Sequence, residues 1–233
     1  MPLLDQLWSA YASHVPYAQT FVELSGGAFQ NDHVAFRSLD LRPVAALFES
    51  LGWRRAGAYD FPDAHLDAIH LSKPGAPRVF VSQLRVEALS PRARALLARL
   101  PAAPPPLADP SWFVAPAPLF TGSELLELER ESQYAAWLCL FGREVNHFTA
   151  AVDDVEGWAV RLREAGVPMK GEVEGAPGAP LRQTATRAAP RRVRTLEGER
   201  DWPYAYLELA QRQPGFDGFV AAQARQLFDM TRR

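Results

Sequence analysis

Asp32-His33-Val34-Ala35-Phe36-Arg37 is the stretch on which the fold turns. Its alternation puts His33, Ala35 and Arg37 on one face of a strand, and Val34 and Phe36 on the other. Leu41, Val44, Ala45, Phe48 and Leu51 follow at helical spacing, and Gly52 stands where such a helix would end. The pattern recurs at an offset of 114 residues. Residues 145–152 read as a strand carrying His147. Val155, Trp158, Ala159 and Leu162 then take the helical places of Leu41, Val44, Ala45 and Phe48, and that helix ends near Gly166. Each half also holds a later strand, at 79–84 and at 204–210, and 68–71 adds another in the first half. Two copies of one strand–helix–strands module explain the shared register.

The modules are joined by a stretch that can be neither a helix nor a central strand. Seven of the 20 prolines (Pro101, Pro104, Pro105, Pro106, Pro110, Pro116 and Pro118) fall in residues 101–118. The expected organisation is a single bimodular α+β domain over 1–233. Module one covers about 15–100, the connector 101–118, and module two about 120–233. Flanking helices are expected over 3–13, from Thr121 through about Tyr134, and over 215–230.

Composition narrows the function classes. The chain has 233 residues, 48% of them hydrophobic, too apolar for a disordered tail. It has no apolar run of membrane-spanning length, and no basic region followed by an apolar core at its start. A soluble cytoplasmic protein is therefore expected. Lys and Arg number 25 against 27 acidic residues, so no nucleic-acid binding driven by net charge is expected. The one cysteine, Cys139, excludes an internal disulfide and a thiolate metal cluster, and its apolar neighbours make it a core residue.

The candidate site follows from the repeat. His33 and His147 open the first strand of each module. In the last strand Glu208 shares a face with Tyr206, opposite Leu207 and Leu209, so this carboxylate is expected to be partly buried and to need a cation or several donors. If the two modules pair their sheets, the three residues converge as two imidazoles and one carboxylate. That is the facial ligand set of non-haem Fe(II) oxygenases. Arg37, four residues along from His33, is placed to bind a carboxylate at the far end of a substrate.

Residues 31–37 (NDHVAFR) resemble the DHxAxR signature of the 2-oxoadipate dioxygenase/decarboxylase, or 2-hydroxyglutarate synthase, family. Tyr59-Asp60-Phe61-Pro62, residues 77–84, Val145-Asn146-His147-Phe148, Leu181-Arg182-Gln183-Thr184 and residues 206–212 extend the resemblance from about residue 15 to the end, as a short form of the family. The resemblance implies a vicinal-oxygen-chelate-like fold: two βαβββ modules forming a half-open barrel around a metal site. It implies Fe(II) as cofactor, held by His33, His147 and Glu208, with Arg37 on a substrate carboxylate. Gln183, Thr184 and Tyr206 are further candidates for the substrate pocket. It also implies O₂ and a small 2-oxo acid such as 2-oxoadipate as partners, with a 2-hydroxy acid and CO₂ as products. No membrane partner is expected, and a homodimer is left open.

Gln83 is taken as the module-one counterpart of Glu208 and as a candidate hydrogen-bond partner of a metal-bound water, against the plainer reading of an edge residue. His65, Asp67 and His70 read as surface residues, and the arginines between 182 and 200 as a solvated hairpin. Competing with the oxygenase are a metal-dependent isomerase, lyase or hydrolase on the same fold, and a metal-free binding module.

Overall fold

The computed structural model describes residues 2–221 and 231. Its helices are α1 (Leu3–Ala12), α2 (Pro16–Leu24), α3 (Arg42–Ser50), α4 (Pro91–Leu97), α5 (Gly122–Glu131), α6 (Gln133–Phe141) and α7 (Val155–Glu164). Its strands are β1 (Asn31–Ser38), β2 (Arg54–Phe61), β3 (Leu66–Ser72), β4 (Arg78–Leu84), β5 (Val145–Ala151), β6 (Leu181–Ala185), β7 (Ala189–Thr195) and β8 (Gly198–Arg212). The order strand, helix, three strands occurs twice: β1-α3-β2-β3-β4, then β5-α7-β6-β7-β8.

All eight strands join one open mixed sheet, ordered β2-β3-β4-β1-β5-β8-β6, with β7 paired to β8 beside this path. β1 and β4 run parallel, as do β5 and β8, while β1 and β5 meet antiparallel at the centre. The central strands are buried on both faces, as the apolar faces of β1 and β5 require. In α3 the buried side chains are Val44, Ala45, Leu47 and Phe48, and in α7 Val155, Ala159 and Leu162, so the periodic stripes are the packed faces. Burying one such large apolar side chain contributes about 1.5–3 kcal/mol.

Two expectations need correction. The helix read from Thr121 through Tyr134 is two helices. Thr121 and Glu124 form a reciprocal capping box on α5, and Ser132 then breaks the chain and caps α6 by accepting from the Ala135 N–H at 3.2 Å. Every residue of α6 is buried, so it has no polar face to mark its period, and Cys139 lies inside it. The connector is not wholly extended either. Asp109 caps a single 3₁₀ turn, Pro110–Trp112, whose indole is buried and donates to the Pro104 carbonyl at 3.1 Å. The helix expected over 215–230 is not formed at 215–220, which run as turn and irregular chain, and its residues 222–230 lie outside the described residues. Among the described residues, no helix is long and apolar enough to cross a membrane.

Candidate metal centre

Val34 pairs with Phe148 across β1 and β5, and these two residues correspond under the 114-residue offset. An approximate twofold axis therefore passes between them. His33 and His147 each stand one residue before it, so their side chains meet on the same face from opposite directions. Their Nε2 atoms lie 3.4 Å apart. Glu208, brought alongside by the parallel pairing of β8 with β5, places Oε2 3.1 Å from His147 Nε2 and 3.9 Å from His33 Nε2. Ligand atoms at right angles, each about 2.1 Å from a common ion, stand ~3.0 Å apart, close to this arrangement. Among the described residues this is the one group of three His, Cys, Asp or Glu side chains whose ligating atoms all converge.

The neighbours decide where the protons sit. His33 Nδ1 lies 2.7 Å from Asp32 Oδ1, and His147 Nδ1 lies 3.0 Å from Asn146 Oδ1. Two acceptor oxygens assign the imidazole protons to Nδ1, which leaves both Nε2 lone pairs facing the centre. Burial, the largest influence on His147, lowers its pKa, and the Glu208 carboxylate works the other way, so the ring stays neutral. Thr149 Oγ1 completes the surroundings of His33, 3.0 Å from Nε2.

Glu208 is 1% exposed, and neither of its oxygens accepts a hydrogen bond among the described residues. A buried carboxylate facing two imidazole lone pairs is a net repulsive group of acceptors, costing several kcal/mol without a cation. The set therefore fits a divalent ion bound by nitrogen and oxygen.

Asp32 is itself buried. Burial alone would raise its carboxyl, but His33 and two hydrogen bonds from Arg212, at 2.6 and 3.0 Å, hold it well below the usual carboxylate range. Its stabilisation is therefore present above that range and is lost as pH falls through and below it. Asp32→Asn should weaken metal binding by about 10–100-fold, because the carboxylate both orients His33 and raises its basicity. A metal titration of the apoprotein reads this. An unchanged affinity would mean that Asp32 serves the Arg212 ion pair alone.

A narrow cavity of about 30 Å³, room for a water or two, opens beside the three residues. Ala35 and Arg37 continue its wall from His33, as the alternation of β1 requires. Arg37 is 3% exposed and is cradled by α6, a helix the sequence reading did not separate. Its guanidinium stacks over Tyr134 and Trp137, 4.9 and 5.3 Å from their ring centroids, and donates to Gln133 Oε1 at 3.1 Å and Thr231 Oγ1 at 2.9 Å. Tyr206 stacks on the His147 ring at 4.7 Å and lines the cavity, its hydroxyl kept neutral by burial. Gln183 lines it too, held by donation to Glu174 Oε2 at 3.1 Å.

The structure does not bring Thr184 to the cavity. It follows Gln183 on β6 and so takes the opposite face, where its hydroxyl donates to the Glu172 carbonyl. Gln83 is also elsewhere: its Oε1 accepts from the Leu41 N–H at 3.0 Å, closing the turn into α3. The counterpart of Glu208 is a different residue. Thr149 pairs with Glu208, and Ala35, its equivalent, pairs with Phe80. His70 is buried rather than on the surface, 2.8 Å from the Tyr59 hydroxyl, while Asp67 is tied to Arg85. The basic stretch does form a hairpin, β7–β8, with Arg191 and Arg192 in ion pairs.

Several cavity residues carry no mark in the sequence, among them Asn146, Phe80 and Phe219. Asn146 gives its oxygen to His147, and its buried Nδ2 has no hydrogen-bond partner among the described residues. It precedes His147 and so looked like an opposite-face residue, and nothing local marks it otherwise.

The chain resembles known proteins in sequence and in fold. The family model for 2-oxoadipate dioxygenase/decarboxylase matches residues 3–103 and 115–232, omitting only the middle of the Pro-rich connector between them. The chain is 24% identical to the chloroplastic 2-oxoadipate dioxygenase/decarboxylase of Arabidopsis thaliana, over 98% of this chain and 76% of that protein. Among solved structures, a protein from Shewanella frigidimarina described as a hydrolase is 29% identical, with a TM-score of 0.85 over 94% of this chain and 96% of that one. The Oryza sativa hydroxyglutarate synthase, solved in complex with 2-oxoadipate, superposes with a TM-score of 0.85 at 23% identity, over 99% of this chain and 91% of that one. A glyoxalase-superfamily protein from Ralstonia eutropha superposes with a TM-score of 0.83 at 24% identity, over 94% and 85% of the two chains. The fold is thus α+β, built on one open mixed sheet, and is shared with these solved structures.

Proposed function

We propose, from the premise that the chain belongs to the 2-oxoadipate dioxygenase/decarboxylase family, that it is an Fe(II)-dependent oxygenase of a 2-oxo dicarboxylic acid. For 2-oxoadipate the balanced reaction takes the acid and O₂ to 2-hydroxyglutarate and CO₂. The observation that carries this reading is the buried convergence of His33, His147 and Glu208 beside a cavity that Arg37 also lines.

In this reading His33, His147 and Glu208 hold the ion. When bound, Fe(II) supplies a chelation site for the oxo acid and the electrons that O₂ requires. The protein's own residues do the rest. Asp32 and Asn146 keep both Nε2 lone pairs turned inward. Asn146 Nδ2 is an unspent donor for a substrate oxygen. Arg37 pairs with the distal carboxylate, its fork held flat between two rings of α6. Phe80, Phe219 and Val220 wall the cavity against water.

The second reading, a metal-dependent hydrolase, isomerase or lyase, draws support from the Shewanella frigidimarina neighbour. An oxygen electrode separates the two. Protein reconstituted anaerobically with Fe(II) should consume one O₂ and release one CO₂ per 2-oxo acid. No uptake with any 2-oxo acid, together with tight Zn²⁺ binding, would assign the site to non-redox chemistry.

A further inference from the structure

The pseudo-twofold axis between Val34 and Phe148 relates more than the two histidines. Under it, the β1–β4 pair becomes the β5–β8 pair, and Ala35 opposite Phe80 becomes Thr149 opposite Glu208. Phe80 is therefore the symmetry mate of the carboxylate ligand. It lines the same cavity as His33 and Glu208, is 6% exposed, and packs on Phe219 with ring centroids 5.0 Å apart. Phe219 in turn meets the His33 ring edge-on at 4.8 Å. The axis passes between the two Nε2 atoms, so an ion there sees two equivalent flanks. Module two offers a carboxylate on its flank, and module one offers a phenyl ring.

We propose that Phe80 fixes the number of protein ligands at three, by presenting an apolar ring at the place where the repeat would otherwise put a second carboxylate. This rests on His33, His147 and Glu208 being the ligand set. The consequence is an asymmetric centre. Its module-two side is filled by Glu208, and its module-one side, bordered by Phe80, Ala35 and Arg37, is left for exchangeable ligands. The ring also keeps that side dry, which suits a small apolar co-substrate and raises the strength of any charge pairing there. A symmetric site with two carboxylates would hold the ion more tightly and leave the substrate fewer positions.

The test moves the carboxylate across the axis and reads metal binding, with Co²⁺ as the probe and the full-length apoprotein as the host. Glu208→Ala should weaken Co²⁺ binding about 100-fold or more. Adding Phe80→Glu to Glu208→Ala should recover binding to within about tenfold of the starting protein, because the new carboxylate reaches the same ion from the other module. Phe80→Leu with Glu208→Ala should not recover it. In the otherwise native protein, Phe80→Glu should tighten Co²⁺ binding about tenfold, weaken its visible absorption as coordination rises, and stop 2-oxoadipate from perturbing that spectrum.

Circular dichroism checks the fold of each variant. Phe80→His with Glu208→Ala is the second arm, since an imidazole nearly matches the phenyl ring in size. If neither double variant binds Co²⁺ better than the Phe80→Leu control, while the starting protein binds it and Glu208→Ala does not, Phe80 does not face the ion and the proposal fails alone. If the starting protein and the His147→Ala variant bind Co²⁺ equally, the ligand set itself is wrong and both readings fall together.

Discussion

His147→Ala should abolish stoichiometric metal binding, and with it O₂ consumption. Of the three proposed ligands, His147 makes the shortest approach to Glu208, 3.1 Å, and its removal leaves two donors for an ion that needs at least three to stay in competition with water. Metal binding worth about 10–16 kcal/mol over four ligands implies ~3–4 kcal/mol per ligand, or roughly 10²–10³-fold in affinity. Two measurements read this without relying on turnover. Metal analysis of purified protein gives occupancy. A thermal melt with and without Fe(II) or Co²⁺ gives the linkage, since an ion that binds only the folded state must raise the melting temperature.

The starting protein should gain stability on metal addition, and the variant should gain almost none. Without metal the difference should shrink or reverse, because Glu208 then faces one acceptor fewer. Equal metal content and equal melting shifts in the two proteins would remove His147 from the centre.

Arg37→Ala should raise KM for a 2-oxo dicarboxylic acid by about 30-fold or more, on the basis that truncating one partner of a buried charge pair costs roughly 2–5 kcal/mol. Metal affinity should stay within a few-fold, because Arg37 lies beyond Ala35 from His33 and its partners belong to α6 and Thr231. The decisive comparison is between acids. The native protein should prefer a 2-oxo dicarboxylate over a 2-oxo monocarboxylate of equal length, and Arg37→Ala should lose that preference. Arg37→Met, which keeps most of the stem packed against Tyr134 and Trp137, guards against a collapse of the cradle. Equal losses on both acids, or loss of the metal, would give Arg37 a structural role.

The two histidines were legible because a strand's period of two and a helix's period of 3.6 are local, and both repeat in the same register after His33 and after His147. Glu208 was legible because it alternates against Leu207 and Leu209 and shares its strand face with Tyr204 and Tyr206, a setting that points to partial burial. Gln83 was misplaced for the opposite reason. The segments between α3 and β4, and between α7 and β8, differ in length and content, so counting along the chain cannot align the last strands of the two modules. Only the hydrogen-bond ladders of β1 with β4 and β5 with β8 do that, and they select Phe80. Thr184 was an error of face, since its side chain turns to the other side of β6 from Gln183 and donates to the Glu172 carbonyl.

The sequence by itself determined the strand–helix–strands repeat, the nitrogen-and-oxygen ligand set left by a single cysteine, and the faces on which His33, Arg37, His147 and Glu208 stand. These follow from chain-local periodicity and composition. Tertiary structure alone decided that Asn146 turns its amide into the cavity, that α6 wraps Arg37, and that Phe80 stands opposite Glu208. Those facts depend on strand register and on a helix without a polar face. Both are set by which distant surfaces pack together, and no spacing along the chain encodes them.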